Sequence, residues 1–206
     1  MSLTVKKAGE TLALLPAAMR PWLGLALLMT VLQLIPDAQS GLRFDRALIE
    51  AGQVWRLFTA NFIHLGWGHL ALNVAGLLVL GWLFAEDFPL GAWGWILVLS
   101  SLASSMGIWF WAPDVDRCVG LSGALHGLFA AGCLAWVRAG PDVGIGVGLL
   151  LAGAGKLIYE QTAGSMPFSA GIVGGPVVTD AHLWGAVGGL LAVALLRLWR
   201  RLRARL

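Results

Sequence analysis

Apolar residues run along this chain in stretches long enough to cross a bilayer, which takes roughly 20 helical residues. The stretches lie near residues 22–36, 70–85, 92–112, 121–137, 143–158 and 182–199. Between them stand two short Pro/Gly-marked connections, "AEDFPLGA" and "RAGPD", and two longer segments, residues 37–66 and 159–180. The pattern predicts an all-α, polytopic membrane protein. Six transmembrane helices fill residues 21–200, after a leader over 1–20 and before a basic tail over 201–206. The 37–66 segment mixes apolar and charged residues at roughly helical spacing, as segments lying in the interface do. The Gly and Pro content of 159–180 predicts a mobile loop. No repeat and no soluble domain breaks the pattern.

Composition agrees with this picture. Hydrophobic residues make up 58% and charged residues 12%, against about 25% charged in an ordinary soluble domain. All but one of the eleven tryptophans fall near predicted helix ends, where the headgroup boundary satisfies both ring and N–H. Trp55 is the exception. The fifth span carries Gly144, Gly146, Gly148, Gly153 and Gly155, which suits either a loosely held gate or a tightly packed helix.

Charge sets the orientation, because cytoplasmic loops collect Lys and Arg. With six spans both termini share a side. Lys6, Lys7, Arg20, Arg138, Arg197, Arg200, Arg201, Arg203 and Arg205 then oppose Arg43, Arg46, Arg56, Arg117 and Lys156. Nine against five puts both termini in the cytoplasm. The tail "RLWRRLRARL" reads as a topology signal or a contact with anionic lipid, and nucleic-acid binding explains it less well. No convincing small-residue cleavage site follows Arg20. Cys118 and Cys133, fifteen residues apart on one predicted helix, are too far apart to pair.

Polar residues inside spans are costly and point to function. His69 and Asn73 stand at i and i+4 on the second span, Ser122 and His126 likewise on the fourth, and His182 opens the sixth. All fall in the outer part of their helices. Gly123 with Gly127, and Gly185 with Gly189, supply the small faces that let helices approach closely. A serine hydroxyl becomes a nucleophile when an imidazole takes its proton. Either His182 or His126 suits as base, and Asn73, His69 and the Ser122 N–H suit as oxyanion donors. A metal bound by the histidines is the weaker reading, since no carboxylate or cysteine is evidently placed with them and Ser122 would have no role. His64 reads as a loop residue and Asp180 as a helix cap.

These residues resemble a known family. "GLSG" at 120–123 with Gly127, "HLGWGHLALN" at 64–73, "WR" at 55–56 and "AHLWGAVGG" at 181–189 resemble, in order and spacing, the signatures of rhomboid intramembrane serine proteases. The resemblance implies Ser122 as nucleophile and His182 as its base, a dyad without a buried carboxylate. It also implies an oxyanion hole of His69, Asn73 and the Ser122 N–H, with Gly120, Gly123, Gly185 and Gly189 in support and no cofactor or metal. Trp55 and Arg56 would belong to a structural first loop, and the fifth helix with its outer loop to a substrate gate. Where the family commonly has tyrosine, four residues after the serine, this chain has His126. The short core and "KLIYEQ" at 156–161 look more like the rhombosortase branch. That branch implies an endopeptidase of the bacterial inner membrane, its site facing the periplasm, which cuts the C-terminal transmembrane tail of exported proteins bearing a Gly-Gly motif. Its partners would be those transmembrane substrates and the bilayer. Lys156, Glu160 and Gln161 would recognise the tail or anchor the helix in the interface. The rival readings are a non-catalytic rhomboid-like binding protein and a small transporter or channel.

Overall fold

A computed structural model describes residues 17–139, 143–167 and 169–204. The predicted leader up to residue 16 and the last two residues of the tail lie outside them. The described residues are mostly helical. After a 3-10 turn at Ala17–Met19 come α1 (Arg20–Leu34), α2 (Ala38–Leu42), α3 (Arg46–Glu50), α4 (Arg56–Thr59), α5 (Trp67–Phe84), α6 (Leu90–Trp111), α7 (Ser122–Ala139), α8 (Val143–Ala163), α9 (Ser169–Val173) and α10 (Thr179–Arg203). Two short strands, β1 (Phe44–Asp45) and β2 (Arg117–Cys118), pair antiparallel. Among the described residues, five helical stretches are long and apolar enough to span a bilayer: Ala17–Leu34, α5, α6, α8 and α10. The chain is a membrane protein.

The 18-residue α7 lies at the centre, packed against α5, α6, α8 and α10. Ala124, Leu128, Ala131 and Cys133 on it are buried. Its approach to α10 runs through the two glycine pairs: a Cβ on Gly185 would strike the Gly123 carbonyl, and one on Gly189 the Gly127 carbonyl. On the third side, Ser100 and Ser104 of α6 sit against Gly127 and Gly123. The start of α1 meets the end of α5, with Trp22 over Gly81 and edge-on to Trp93 of α6 at 5.2 Å. Phe84 and Trp136 bring the end of α7 to the same side.

The 37–66 segment is more ordered than its mixed composition suggests. Arg56 is buried, donating to the Ser40 and Arg43 carbonyls and, through Nε, to Gln53. Arg46 donates to the carbonyls of Ile108, Trp109, Ala112 and Val115, closing the C-terminal end of α6. The Ile108 and Ala112 carbonyls also accept the Ala112 and Val115 N–H groups, so Arg46 adds to a partly bonded terminus, where a cation also meets the negative end of the helix dipole. Trp55, by contrast, is half exposed.

Three expectations change. The fifth long helix runs to Ala163, so Glu160 lies within it, and part of the predicted loop after it is the short helix α9. Asp180 does not cap α10: it lies in the first turn, after Val178 at the cap position. Cys118 belongs to β2, not to a helix, and both cysteines are free.

Candidate active site

Ser122 is the first residue of α7. Gly120, two residues before it, has φ +113°, a conformation that favours glycine, and donates its N–H to the Ala60 carbonyl at 3.0 Å. A Cβ there would lie 2.5 Å from His69 Nε2, so the missing side chain is what lets this turn lie against the imidazole. Opening a helix at Ser122 also leaves its backbone N–H without an intrahelical partner, at the positive end of the dipole.

His182, in the first turn of α10, is 5% exposed and brings Nε2 to 3.0 Å from Ser122 Oγ. The contact joins two helices that the glycine pairs hold together. His126 also lies beside Ser122 but is otherwise engaged. Its Nδ1–H donates to the Ser122 carbonyl at 2.7 Å, and its Nε2 accepts from Lys156 Nζ at 2.9 Å. Its ring stacks on His182 with centroids 4.2 Å apart and planes at 17°. Neither nitrogen of His126 is bonded to the hydroxyl, so geometry separates two histidines that the sequence leaves equivalent.

His69 and Asn73 are buried on one face of α5. His69 Nδ1 accepts the Leu65 N–H at 3.4 Å, which leaves the ring proton on Nε2, the nitrogen nearest Gly120. Asn73 Nδ2 donates to the His69 carbonyl at 2.9 Å and keeps a second hydrogen. Ser122, His182, His69, Asn73 and His126 all line a cavity of about 390 Å³, and Met166, Val173 and Pro176 of the segment around α9 line it too.

One feature departs from the implied site: a carboxylate is present. Glu160 of α8 is 3% exposed, with Oε2 at 2.9 Å from His182 Nδ1 and Oε1 at 2.7 Å from Lys156 Nζ. Both of its oxygens are therefore paired within the protein. Sequence reasoning missed it because Glu160 lies 22 residues before His182 on another helix, and no periodicity on either helix links them. Ser100, Ser104 and Arg46 were missed likewise. His126, Glu160 and His182 bring three potential metal-ligand atoms within 4.8 Å of one another. The Lys156 ammonium already bridges Glu160 and His126 there, and its positive charge disfavours a metal ion.

Residues 51–199 match the Rhomboid domain. A protein of Mycobacterium tuberculosis, itself uncharacterised, is 33% identical over 180 residues, covering 82% of this chain and 71% of its own length. The chain belongs to the rhomboid family. Rhomboid-like protein 11, chloroplastic, of Arabidopsis thaliana is 32% identical over 150 residues, 69% of this chain and 52% of that one. Rhomboid protease GluP of Bacillus subtilis is 25% identical over 161 residues, 75% of this chain and 28% of GluP. The match to the Rhomboid domain includes His69, Asn73, Ser122, His126, Glu160 and His182, all of which line the cavity.

Proposed function

We propose that this rhomboid is an intramembrane serine endopeptidase in which Ser122 is the nucleophile and His182 the general base. The observation that carries the reading is the 3.0 Å contact between His182 Nε2 and Ser122 Oγ across α7 and α10, in a cavity opening among membrane helices. The hydroxyl proton passes to Nε2 as Oγ bonds to the substrate carbonyl carbon. The charge that develops on the carbonyl oxygen is met by His69 Nε2–H, the spare hydrogen of Asn73 Nδ2 and the Ser122 N–H. The proton then passes to the departing amine nitrogen, leaving an acyl-serine, and a water activated by the same imidazole releases it.

In this reading α7 is the sixth span beside the five apolar stretches, both termini face the cytoplasm, and the cavity faces the periplasm of a bacterial inner membrane. The substrate is the C-terminal transmembrane tail of an exported protein carrying a Gly-Gly motif, as in the rhombosortase branch. The "KLIYEQ" segment and the positive-inside asymmetry support these finer points.

The test is labelling of the purified protein by a serine-directed fluorophosphonate. Wild type is expected to label and Ser122→Ala not to. Equal labelling of the two removes the nucleophile assignment and leaves the non-catalytic binder standing. Co-expression with a Gly-Gly-tailed membrane protein, with and without Ser122, then tests the substrate class: an uncut tail in both strains counts against the rhombosortase assignment.

A further inference from the structure

We infer that Glu160 is a positioning residue for His182, so that the site is a serine–histidine–glutamate triad assembled from three helices; this rests on the protease reading above. A carboxylate only accepts hydrogen bonds, so the 2.9 Å contact between Glu160 Oε2 and His182 Nδ1 places the imidazole proton on Nδ1. Nε2 then presents its lone pair to Ser122 Oγ at 3.0 Å, the tautomer a general base requires. The ring is held at its edge by Glu160 and on its face by His126, stacked at 4.2 Å.

The carboxylate is itself fixed. Lys156, one turn earlier on α8, takes Oε1 at 2.7 Å and gives a second hydrogen bond to His126 Nε2 at 2.9 Å. His126 closes the ring of contacts through its Nδ1–H to the Ser122 carbonyl. An ionised carboxylate alone in a membrane helix is costly, and a paired, fully hydrogen-bonded one much less so. Lys156 therefore lets α8 carry a charge to His182 while the pair stays neutral. The histidine where the family commonly has tyrosine fits the same arrangement, because its Nε2 accepts a lysine hydrogen bond while its ring covers the base.

The test uses full-length protein in detergent or nanodiscs, with fluorophosphonate labelling rates across pH and ¹⁵N-imidazole NMR of His182. Glu160→Gln puts an amide N–H or a weaker acceptor at Nδ1 and disturbs the tautomer. An equivalent change in a soluble serine protease costs about 10⁴-fold, and a slowing of at least about a hundredfold is expected here, with an altered pH profile. Folding is checked by circular dichroism and thermal denaturation. A Glu160→Gln protein that labels at the wild-type rate with an unchanged pH profile overturns the inference. If that variant does not fold, the wild-type spectrum decides: a neutral His182 protonated at Nδ1 supports the triad, and one protonated at Nε2 overturns it. A wild type that fails to label sinks the protease reading, and the NMR tautomer still decides the Glu160 contact on its own.

Discussion

His64 lies in the loop that leads into α5, as expected, but it is buried there. It is 1% exposed and edge-on to His69 at 5.0 Å, and neither ring nitrogen has a hydrogen-bond partner among the described residues. Burial, with the neighbouring His69 adding to it, pushes its imidazole down to about 3 from 6.5. Between those two values the unfolded chain binds a proton that the folded one does not. This contribution to stability is therefore intact above pH 6.5 and is lost as pH falls towards 3, at up to about 1.4 kcal/mol per pH unit. His64→Leu removes both the titration and the unpaired nitrogens. Its melting temperature is expected to equal or exceed that of wild type at pH 7 and to fall less steeply between pH 6.5 and 5; a parallel pH dependence would show that His64 contributes no slope. Asn73 makes a second case at this scale. Its Nδ2 keeps one hydrogen beyond the bond to the His69 carbonyl, so Asn73→Ala is expected to slow fluorophosphonate labelling about a hundredfold or more with the fold intact. An unchanged rate would take Asn73 out of the oxyanion hole.

At the scale of helices, the small residues decide whether Ser122 and His182 can meet. An added Cβ on Gly185 strikes the Gly123 backbone, whereas one on Gly148 of α8 meets open space. Gly185→Ala is therefore expected to destabilise by about 1–3 kcal/mol and to lose labelling, and Gly148→Ala to be neutral or slightly stabilising. Equal behaviour of the two would mean that the α7–α10 contact can relax. This glycine face was legible in the sequence because small-xxx-small spacing is local, and so were His69, Asn73, Ser122 and His182, each polar within an apolar run. What escaped was set across helices: Glu160 against His182, Ser100 and Ser104 against α7, and Arg46 against the end of α6. The 121–137 stretch was legible as a span, although α7 is not among the five long, apolar helical stretches. Ser122, His126 and Arg138 dilute its apolar character, yet a helix enclosed by four others has little lipid to face. Arg46 can be tested by replacement. Arg46→Ala takes the cation from the Ile108 and Trp109 carbonyls of α6 and from those of Ala112 and Val115 just beyond it, and is expected to cost about 2 kcal/mol or more, measured by thermal denaturation.

Across the whole molecule the cations fall into two groups that differ in what they do as well as in number. At the cavity end, Arg46 and Arg56 bond backbone carbonyls, Arg43 and Arg117 bond Asp45, and Lys156 bonds Glu160. At the other end Arg20, Arg138, Arg200, Arg201 and Arg203 lie on exposed surface, with Arg138 near enough to Arg197 for the two charges to repel. Burial would raise the Asp45 carboxyl, but hydrogen bonds from Arg117, the Leu48 backbone and Arg43 hold it below its usual value. The cavity-end positive charge is thus largely tied up within the fold. The exposed arginines remain available to anionic headgroups, at about 1 kcal/mol for each cation near the surface. Counting only the available charges makes the asymmetry steeper than nine against five, so the end away from the cavity should stay in the cytoplasm. A C-terminal green fluorescent protein fusion is expected to fluoresce, and a C-terminal alkaline phosphatase fusion to be inactive. An active phosphatase would turn the molecule over, put the Ser122 cavity at the cytoplasmic face, and rule out exported tails as its substrates.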